Sequence, residues 1–495
     1  KKAPTPFPLL PQPPPQRRAM RSALCLPCLL LSVSALHFHS AAPTKYPWAG
    51  KNGDKLRTGA STFVVPSVLE KGPTWSFHEA DEMVDFHKLV PDSQATYPHF
   101  WGLIRATPLI DDKLNIYIST VTEGRVYKFN PDGQQLWVYK SVPWVQLPGI
   151  SAILEGKLFA ANSAGEAFAL DMETGETLWR TKIAGAIAGD TWSMAAAEGV
   201  VVAPAIINGT KGNNKRLVAL KASDGSEMWT FDSADDIYNI LVAIKDGSCV
   251  FSTASGRVYR LDLQTGATIW EVPPPEHPDF TTGGSILGPD GETVYTTWNE
   301  ARTQGNKTGM VGAFNFSDGR RLWTTEVSYE ANNAAAVGLV GSGSSARLAI
   351  VVGVGVNPLP PYPQYGILSG VGGPDRPARI LALEAATGQP LWTHELPAWH
   401  GAALGDDKRP DICLPDAFSN PAIGGDGTVY VGFQSGLIYS VRDSDSNGAI
   451  SEDEVSSFQT GASFQGSPGI APGMLVATSC DGMHVFRFNG TEVSQ

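Results

Sequence analysis

The 495-residue sequence predicts an all-β fold, an eight-bladed β-propeller of four-stranded antiparallel blades. Three observations carry that prediction. A short unit ending in Trp recurs along the chain. Strand-like runs precede its copies at regular spacing. Gly 52 and Pro 37 together make 18% of the residues, against about 12% in an average protein, which marks a chain rich in tight turns. Charged residues are only 17%, where about a quarter is usual, which disfavours coiled coils, helical bundles and long disordered tails.

The repeat comes first. Ala169-Leu-Asp-Met-Glu-Thr-Gly-Glu-Thr-Leu-Trp179 recurs with its first residue at Ala219, Arg260, Ala313 and Ala382, and its Trp at Trp229, Trp270, Trp323 and Trp392. A copy shorter by one residue runs from Lys128 to Trp137, and a degenerate copy spans Val485–Gly490. The unit is a strand, a turn and a second strand. An Asp or Asn side chain satisfies backbone N–H groups in the turn, and Gly supplies positive φ. The small Ala leaves room for the indole. Six of the 13 Trp occupy this one position, so the unit is built to dock a large ring.

The other strands follow. Blade one reads Thr107–Ile110, Leu114–Ile118 and Gly124–Tyr127 before its turn. Blade seven reads Asn420–Ile423, Gly427–Val431 and Gly436–Tyr439, and blade eight Ser467–Ile470, Met474–Ala477 and Met483–Phe486. Turn glycines fall at Gly133, Gly175, Gly225, Gly266, Gly319, Gly388, Gly448 and Gly490. Their separations of 42, 50, 41, 53, 69, 60 and 42 give the bare blade and mark insertions. Eight turns imply one closed ring.

The Ala-x-Asp-x-x-Thr-Gly-x-x-x-Trp turn resembles the pyrroloquinoline-quinone-type (PQQ-type) repeats of quinoprotein alcohol dehydrogenases and of the outer-membrane assembly lipoprotein. The resemblance covers about residues 46–490. It implies an eight-bladed ring and leaves function open, because the family mixes enzymes with binding scaffolds. Trp48–Gly59 looks like the family's N-terminal strand, which closes the last blade.

Residues 1–19 read as a Pro-rich leader or untranslated-like extension, and residues 20–42 as a secretory signal peptide. Met20 and Arg21 precede an apolar run at Leu24–Leu31, then small residues suited to cleavage. That run is too short to span a membrane, and no other segment spans one. Residues 43–495 form the propeller. The leader's five basic residues mask the acidity of the rest, where 32 basic residues face 49 acids for a net −17. Such a surface is a poor nucleic-acid binder. Cys25 and Cys28 sit in the signal segment, Cys249, Cys413 and Cys480 in the ring, and a Cys413–Cys480 bridge is one possible pairing. Asn208, Asn306, Asn315 and Asn489 head glycosylation acceptors, in keeping with secretion.

Blade seven replaces its turn with Asp443-Ser-Asp-Ser-Asn-Gly-Ala-Ile-Ser-Glu-Asp-Glu454, a match to the twelve-residue EF-hand loop. Asp443, Asp445 and Asn447 take positions 1, 3 and 5. Gly448 makes the sharp turn, Ala449 offers its carbonyl, Ser451 stands at position 9 and Glu454 closes as a bidentate ligand. Hard oxygens at this spacing suit Ca²⁺. Ile450 is the apolar anchor, and Val455 and Phe458 could begin an exiting helix.

Two readings of function remain. The leading one is a secreted calcium-binding scaffold that takes a protein or a glycan on its top loops. The alternative is a PQQ- and Ca²⁺-dependent quinoprotein dehydrogenase oxidising alcohols or sugars. For that enzyme, the resemblance places Gly353–Pro358 on a family Gly-x-Gly-Asn-Pro motif, so that Asn357 would help hold Ca²⁺. Pro358–Tyr365 and Phe100–Pro108 could border the pocket. His400, in Leu396-Pro-Ala-Trp-His400, would stand as base. The departures are the lack of adjacent cysteines and of any acid in Asn208–Arg216. Asp406, Asp407, Asp411 and Asp416 follow His400 without a motif to place them. Convergent acids, an Asn and a flat Trp floor at the axial mouth would favour the enzyme. The run His78–His87 reads as an amphipathic acidic segment rather than a metal site.

Overall fold

A computed structural model describes residues 45–78, 84–85, 99–100, 104–121, 124–141, 145, 147, 149–188, 192–209, 212–238, 241–301, 307–358, 375–400 and 416–488. The leader, the signal segment and most of the run His78–His87 lie outside them. So do residues 101–103 and 359–365, and Asn306, Asp406, Asp407, Asp411, Cys413, Asn489 and Gly490.

Eight antiparallel blades follow one another along the chain, beside a separate two-stranded sheet of Val84–Asp85 and His99–Phe100. The four strands of blades one to seven run in sequential order, whereas blade eight takes its outermost strand from the N-terminal region. The innermost strands are Leu109–Ile110, Ala152–Leu154, Ala195–Ala197, Ala243–Lys245, Ser285–Leu287, Ala336–Val340, Ala422–Ile423 and Gly469–Ala471. The outermost strands of blades one to seven are Gln135–Lys140, Thr177–Lys182, Glu227–Asp232, Thr268–Val272, Arg321–Val327, Pro390–Trp399 and Val455–Gln459. Blade five adds a short strand at Pro278–Asp279. Among the described residues, helix is confined to 3₁₀ turns, and none is long and apolar enough to cross a membrane.

Burial explains the composition of the strands. Inner and middle strands lie between neighbouring blades and are covered on both faces, so Val200–Ala205 is buried at every position. Outermost strands alternate with solvent, as Thr177–Lys182 does. In the turns, Asp171 Oδ1 accepts hydrogen bonds from the N–H groups of Glu173 and Thr174, and Asp262 repeats the pattern with Gln264 and Thr265. A β-bulge beside each turn sets Ala169 opposite Trp179, Ala219 opposite Trp229 and Ala382 opposite Trp392.

Each repeat Trp except Trp392 clasps the next blade. The indole lies on that blade's turn glycine, and its N–H donates to a carbonyl beside it. Trp137, Trp179, Trp229, Trp270 and Trp323 bond the carbonyls of Met172, Ala222, Leu263, Phe316 and Ala385 at 2.8–3.3 Å. Glycine is required by contact as well as by φ: a Cβ on Gly175, at φ +77°, would stand 2.8 Å from Trp137 Cδ2.

Two findings correct the sequence reading of the N-terminal region. The strand that closes blade eight is Trp75–His78, paired antiparallel with Gly482–Arg487, and not Trp48–Gly59. Trp75 supplies the clasp of that blade, on Gly133 with its N–H to Pro131 O at 2.9 Å. Trp48–Gly59 instead coils across the axis. Asn52, Gly53, Arg57 and Gly59 all have positive φ, which no extended strand tolerates. Its backbone bonds the innermost strands of six blades, through Ile110, Ile153, Ile244, Leu287, Val337 and Ile423. Arg57, 3% exposed, donates to the carbonyls of Lys51, Met194 and Val242, the last two bordering blades three and four. Desolvation lowers the Arg57 pKa to about 10 against the opposing charge of Asp54. The segment is an axial plug.

Cys480 is disulfide-bonded, and Cys249 is a buried free thiol whose pKa burial raises to about 12.

Candidate functional sites on the axis and at blade seven

The axial mouth lies above the plug, where the loops enter the innermost strands of blades five to eight. Lys51, Thr282, Asn332, Asn333, Asp416 and Asn420 supply most of its polar lining. Asn357, singled out by sequence, does not line the cavity itself but is fixed beside it. Its Nδ2 donates to Asp416 Oδ1 at 2.9 Å, and its Oδ1 accepts from the Ala417 N–H. Asp416 also accepts from the Thr282 hydroxyl at 2.6 Å. His400 is exposed, with Nδ1 3.0 Å from Asp375 Oδ1. The structure therefore joins Asn357 to Asp416, which no motif placed, and shows no contact of His400 with either among the described residues.

The other axial residues form an amide network. Asn420 Nδ2 donates to Asn52 Oδ1, Asn52 Nδ2 to Ala335 O, and Asn333 Nδ2 to Gly353 O. Sequence reasoning passed over Lys51, Asn332, Asn333 and Asn420. Their one signal was position, since the last three stand just before innermost strands.

A quinone does not fit between these residues. The cavity measures about 20 Å³, room for one water, whereas small-molecule pockets run about 300–1,000 Å³. Its described lining has one acid, Asp416, already bonded by Thr282 and Asn357, and it has no Trp floor. Asn333 Oδ1 is buried without a hydrogen-bond partner, a need that a single water meets.

At blade seven the six candidate ligands share one hairpin between Leu437–Val441 and Val455–Gln459. One carboxylate oxygen each from Asp443, Asp445 and Glu454 lies within 4.8 Å of the others. The loop is held from within. Asp443 accepts from the N–H groups of Asn447 and Gly448, Asp445 Oδ1 also from the Asn447 N–H, and Asn447 Oδ1 from that of Ala449. Gly448 makes its turn at φ +81°. Glu454 accepts from Ser444 and from both the N–H and the hydroxyl of Ser451. Desolvation pushes the Glu454 pKa up, but these hydrogen bonds outweigh it and hold the carboxyl at about 2. The loop thus presents the ionised Glu454 carboxylate beside the carboxylate oxygens of Asp443 and Asp445. Ile450 packs on the core, as an anchor should. The exiting helix is absent: Glu452–Glu454 is a single 3₁₀ turn, and Val455 and Phe458 enter a strand because they must pair with Val441 and Ile438.

Comparison with known proteins agrees with this architecture. A family model described as outer membrane protein assembly factor BamB matches residues 122–282 and, overlapping, 192–357. The outer membrane protein assembly factor BamB of Nitrosomonas eutropha is 23% identical over 211 residues, 42% of this chain. That match spans about half the relative's own length, 48%. Among solved structures, BamB from Moraxella catarrhalis aligns with TM-score 0.52 and 15% identity over 78% of this chain and 97% of that one. Quinohemoprotein alcohol dehydrogenase from Comamonas testosteroni aligns with TM-score 0.57 and 12% identity over 91% and 81%. A europium-containing methanol dehydrogenase aligns with TM-score 0.56 and 13% identity over 89% and 91%. At these identities the structural likeness speaks for the fold alone. The chain is an eight-bladed propeller, and its residues 122–357 resemble the BamB family model.

Proposed function

We propose that this propeller is a secreted, calcium-binding scaffold that engages a protein or a glycan, and not a quinone enzyme. The observation that supports it most is the blade-seven loop, with three converging carboxylates at EF-hand spacing. The ligands are Asp443, Asp445, Asn447, the Ala449 carbonyl, Ser451 and Glu454. The site has no second EF-hand loop to couple with, so its affinity falls near the ~10⁻⁴–10⁻³ M of extracellular modules. Secretion into calcium-rich fluid fills it. The plugged axis and one-water cavity speak against the dehydrogenase reading, although two structural neighbours bear dehydrogenase names. The BamB-named relatives are assembly factors by name, and the shared repeats allow either role.

Thermal unfolding with and without millimolar Ca²⁺ tests the loop. Calcium raises the midpoint of the wild type and leaves Glu454→Gln unmoved. Equal stabilisation of both would show that the loop is not the site. Incubation with PQQ and Ca²⁺, followed by dye reduction with alcohols and sugars, tests the enzyme reading. The expected result is no bound quinone and no turnover.

A further inference from the structure

Six seams between blades carry the same Trp clasp, from Trp75 on Gly133 to Trp323 on Gly388. The seam between blades six and seven does not. Trp392 occupies the clasp position opposite Ala382 and is 3% exposed. Yet its indole Nε1 has no hydrogen-bond partner. Gly448 stands where the partner turn glycine belongs, but a Cβ there would meet only Leu391 O, at 3.1 Å, and no indole. Between the two blades lies a cleft of about 470 Å³. Arg347 and Trp392 line one wall, and Asp443, Ser446, Asn447 and Gly448 the other. That second wall is the candidate calcium loop itself.

The loop is also tied to blade six by polar bonds. The Ser342 N–H donates to Ser446 Oγ at 3.3 Å, and Arg442 Nη2 donates to Ser342 Oγ at 3.0 Å. Asp443, at the cleft, is bonded to the N–H groups of Asn447 and Gly448. A bound cation would draw that carboxylate, with those of Asp445 and Glu454, to about 2.3–2.6 Å from the ion. The backbone of Asn447 and Gly448, which forms the cleft wall, is bonded to Asp443 and is carried with that carboxylate as it moves to the ion.

We infer that calcium at the blade-seven loop controls the seam between blades six and seven, with Trp392 as the residue that registers it. Filling the loop moves its wall onto the indole, closes the cleft and gives the orphan N–H a carbonyl acceptor, as in the six clasped seams. Metal thus replaces the turn that the repeat lacks here. This rests on the calcium reading above and adds a consequence to it.

The test uses the full chain and Ca²⁺ alone, with binding measured separately by calorimetry. Tryptophan emission is compared between wild type and Trp392→Phe, and hydrogen exchange is followed across Pro390–Trp399 and the other outermost strands. With calcium, the emission difference assigned to Trp392 changes saturably, and exchange around Trp392 slows at least fivefold. Strands at the six clasped seams keep their rates. Calcium binding without change at Trp392 or its strand overturns the inference and leaves the calcium site standing. Absence of calcium binding overturns both. Should Trp392→Phe fail to fold, exchange in the wild type decides alone.

Discussion

The clasp is best tested by two glycines of blade two. Gly156 and Gly175 share nearly the same left-handed backbone, at φ +79° and +77°. Their surroundings differ. A Cβ on Gly156 meets nothing within 4 Å, whereas one on Gly175 stands 2.8 Å from Trp137 Cδ2 and 3.0 Å from Cε3. Gly156→Ala thus reports backbone strain alone. A left-handed L-residue costs about 1–2 kcal/mol, partly offset by about 0.4–1 kcal/mol from a stiffer unfolded chain. Gly175→Ala carries the same strain and must also displace the indole. Loss of the 3.2 Å bond from Trp137 to Met172 O costs about 1 kcal/mol. Re-exposing about half of a Trp side chain, ~100 Å², costs about 2.5 kcal/mol. The expected gap between the two variants is about 3 kcal/mol. Equilibrium urea unfolding measures it as a difference in midpoint at constant slope. In a Trp137→Leu background the gap shrinks, because the ring and the methyl no longer compete. Two single variants equal within about 0.5 kcal/mol would refute the claim that indole-on-glycine packing holds the seams.

The axial plug and a half-buried histidine give further expectations. Arg57→Met leaves the carbonyls of Lys51, Met194 and Val242 without their donor and destabilises the ring by about 2–4 kcal/mol in urea. Arg57→Lys does not restore the loss, since one ammonium lacks the guanidinium's fork of donors; full rescue would show that charge and not geometry matters. Burial lowers the pKa of His394 below its ordinary 6.5, with Glu395 opposing. The unfolded chain then binds this proton more readily, so the contribution is complete above about pH 6.5 and is lost as pH falls through the depressed value. Urea midpoints between pH 5 and 7.5 should decline more gently for His394→Gln than for the wild type, and identical slopes would contradict the assignment.

Repeat architecture was legible because each blade advertises itself locally. The Asp of a turn bonds N–H groups two and three residues on, and the Trp pairs with an Ala ten residues back, so Asp171, Gly175 and Trp179 announce a hairpin without knowledge of the ring. The blade-seven loop is local in the same way, with Asp443 accepting from the N–H groups of Asn447 and Gly448. Asn357 was found by resemblance, but its partner Asp416 was not, because they are joined only through the meeting of two loops 59 residues apart. Trp75 was missed because its strand lies more than 400 residues from its partner, Gly482–Arg487. The plug was misread as a strand because its pattern of Trp and Gly fits either use.

The sequence by itself determined the all-β class, the number of blades and the turns. These rest on short-range hydrogen bonding and on side-chain period. Tertiary structure alone decided which N-terminal segment closes the ring, what fills the axis and which seam lacks its clasp. Each of those depends on which distant backbone groups and rings meet once the chain closes. Closure brings Arg57 to the carbonyls of Met194 and Val242, and leaves the Trp392 indole without one.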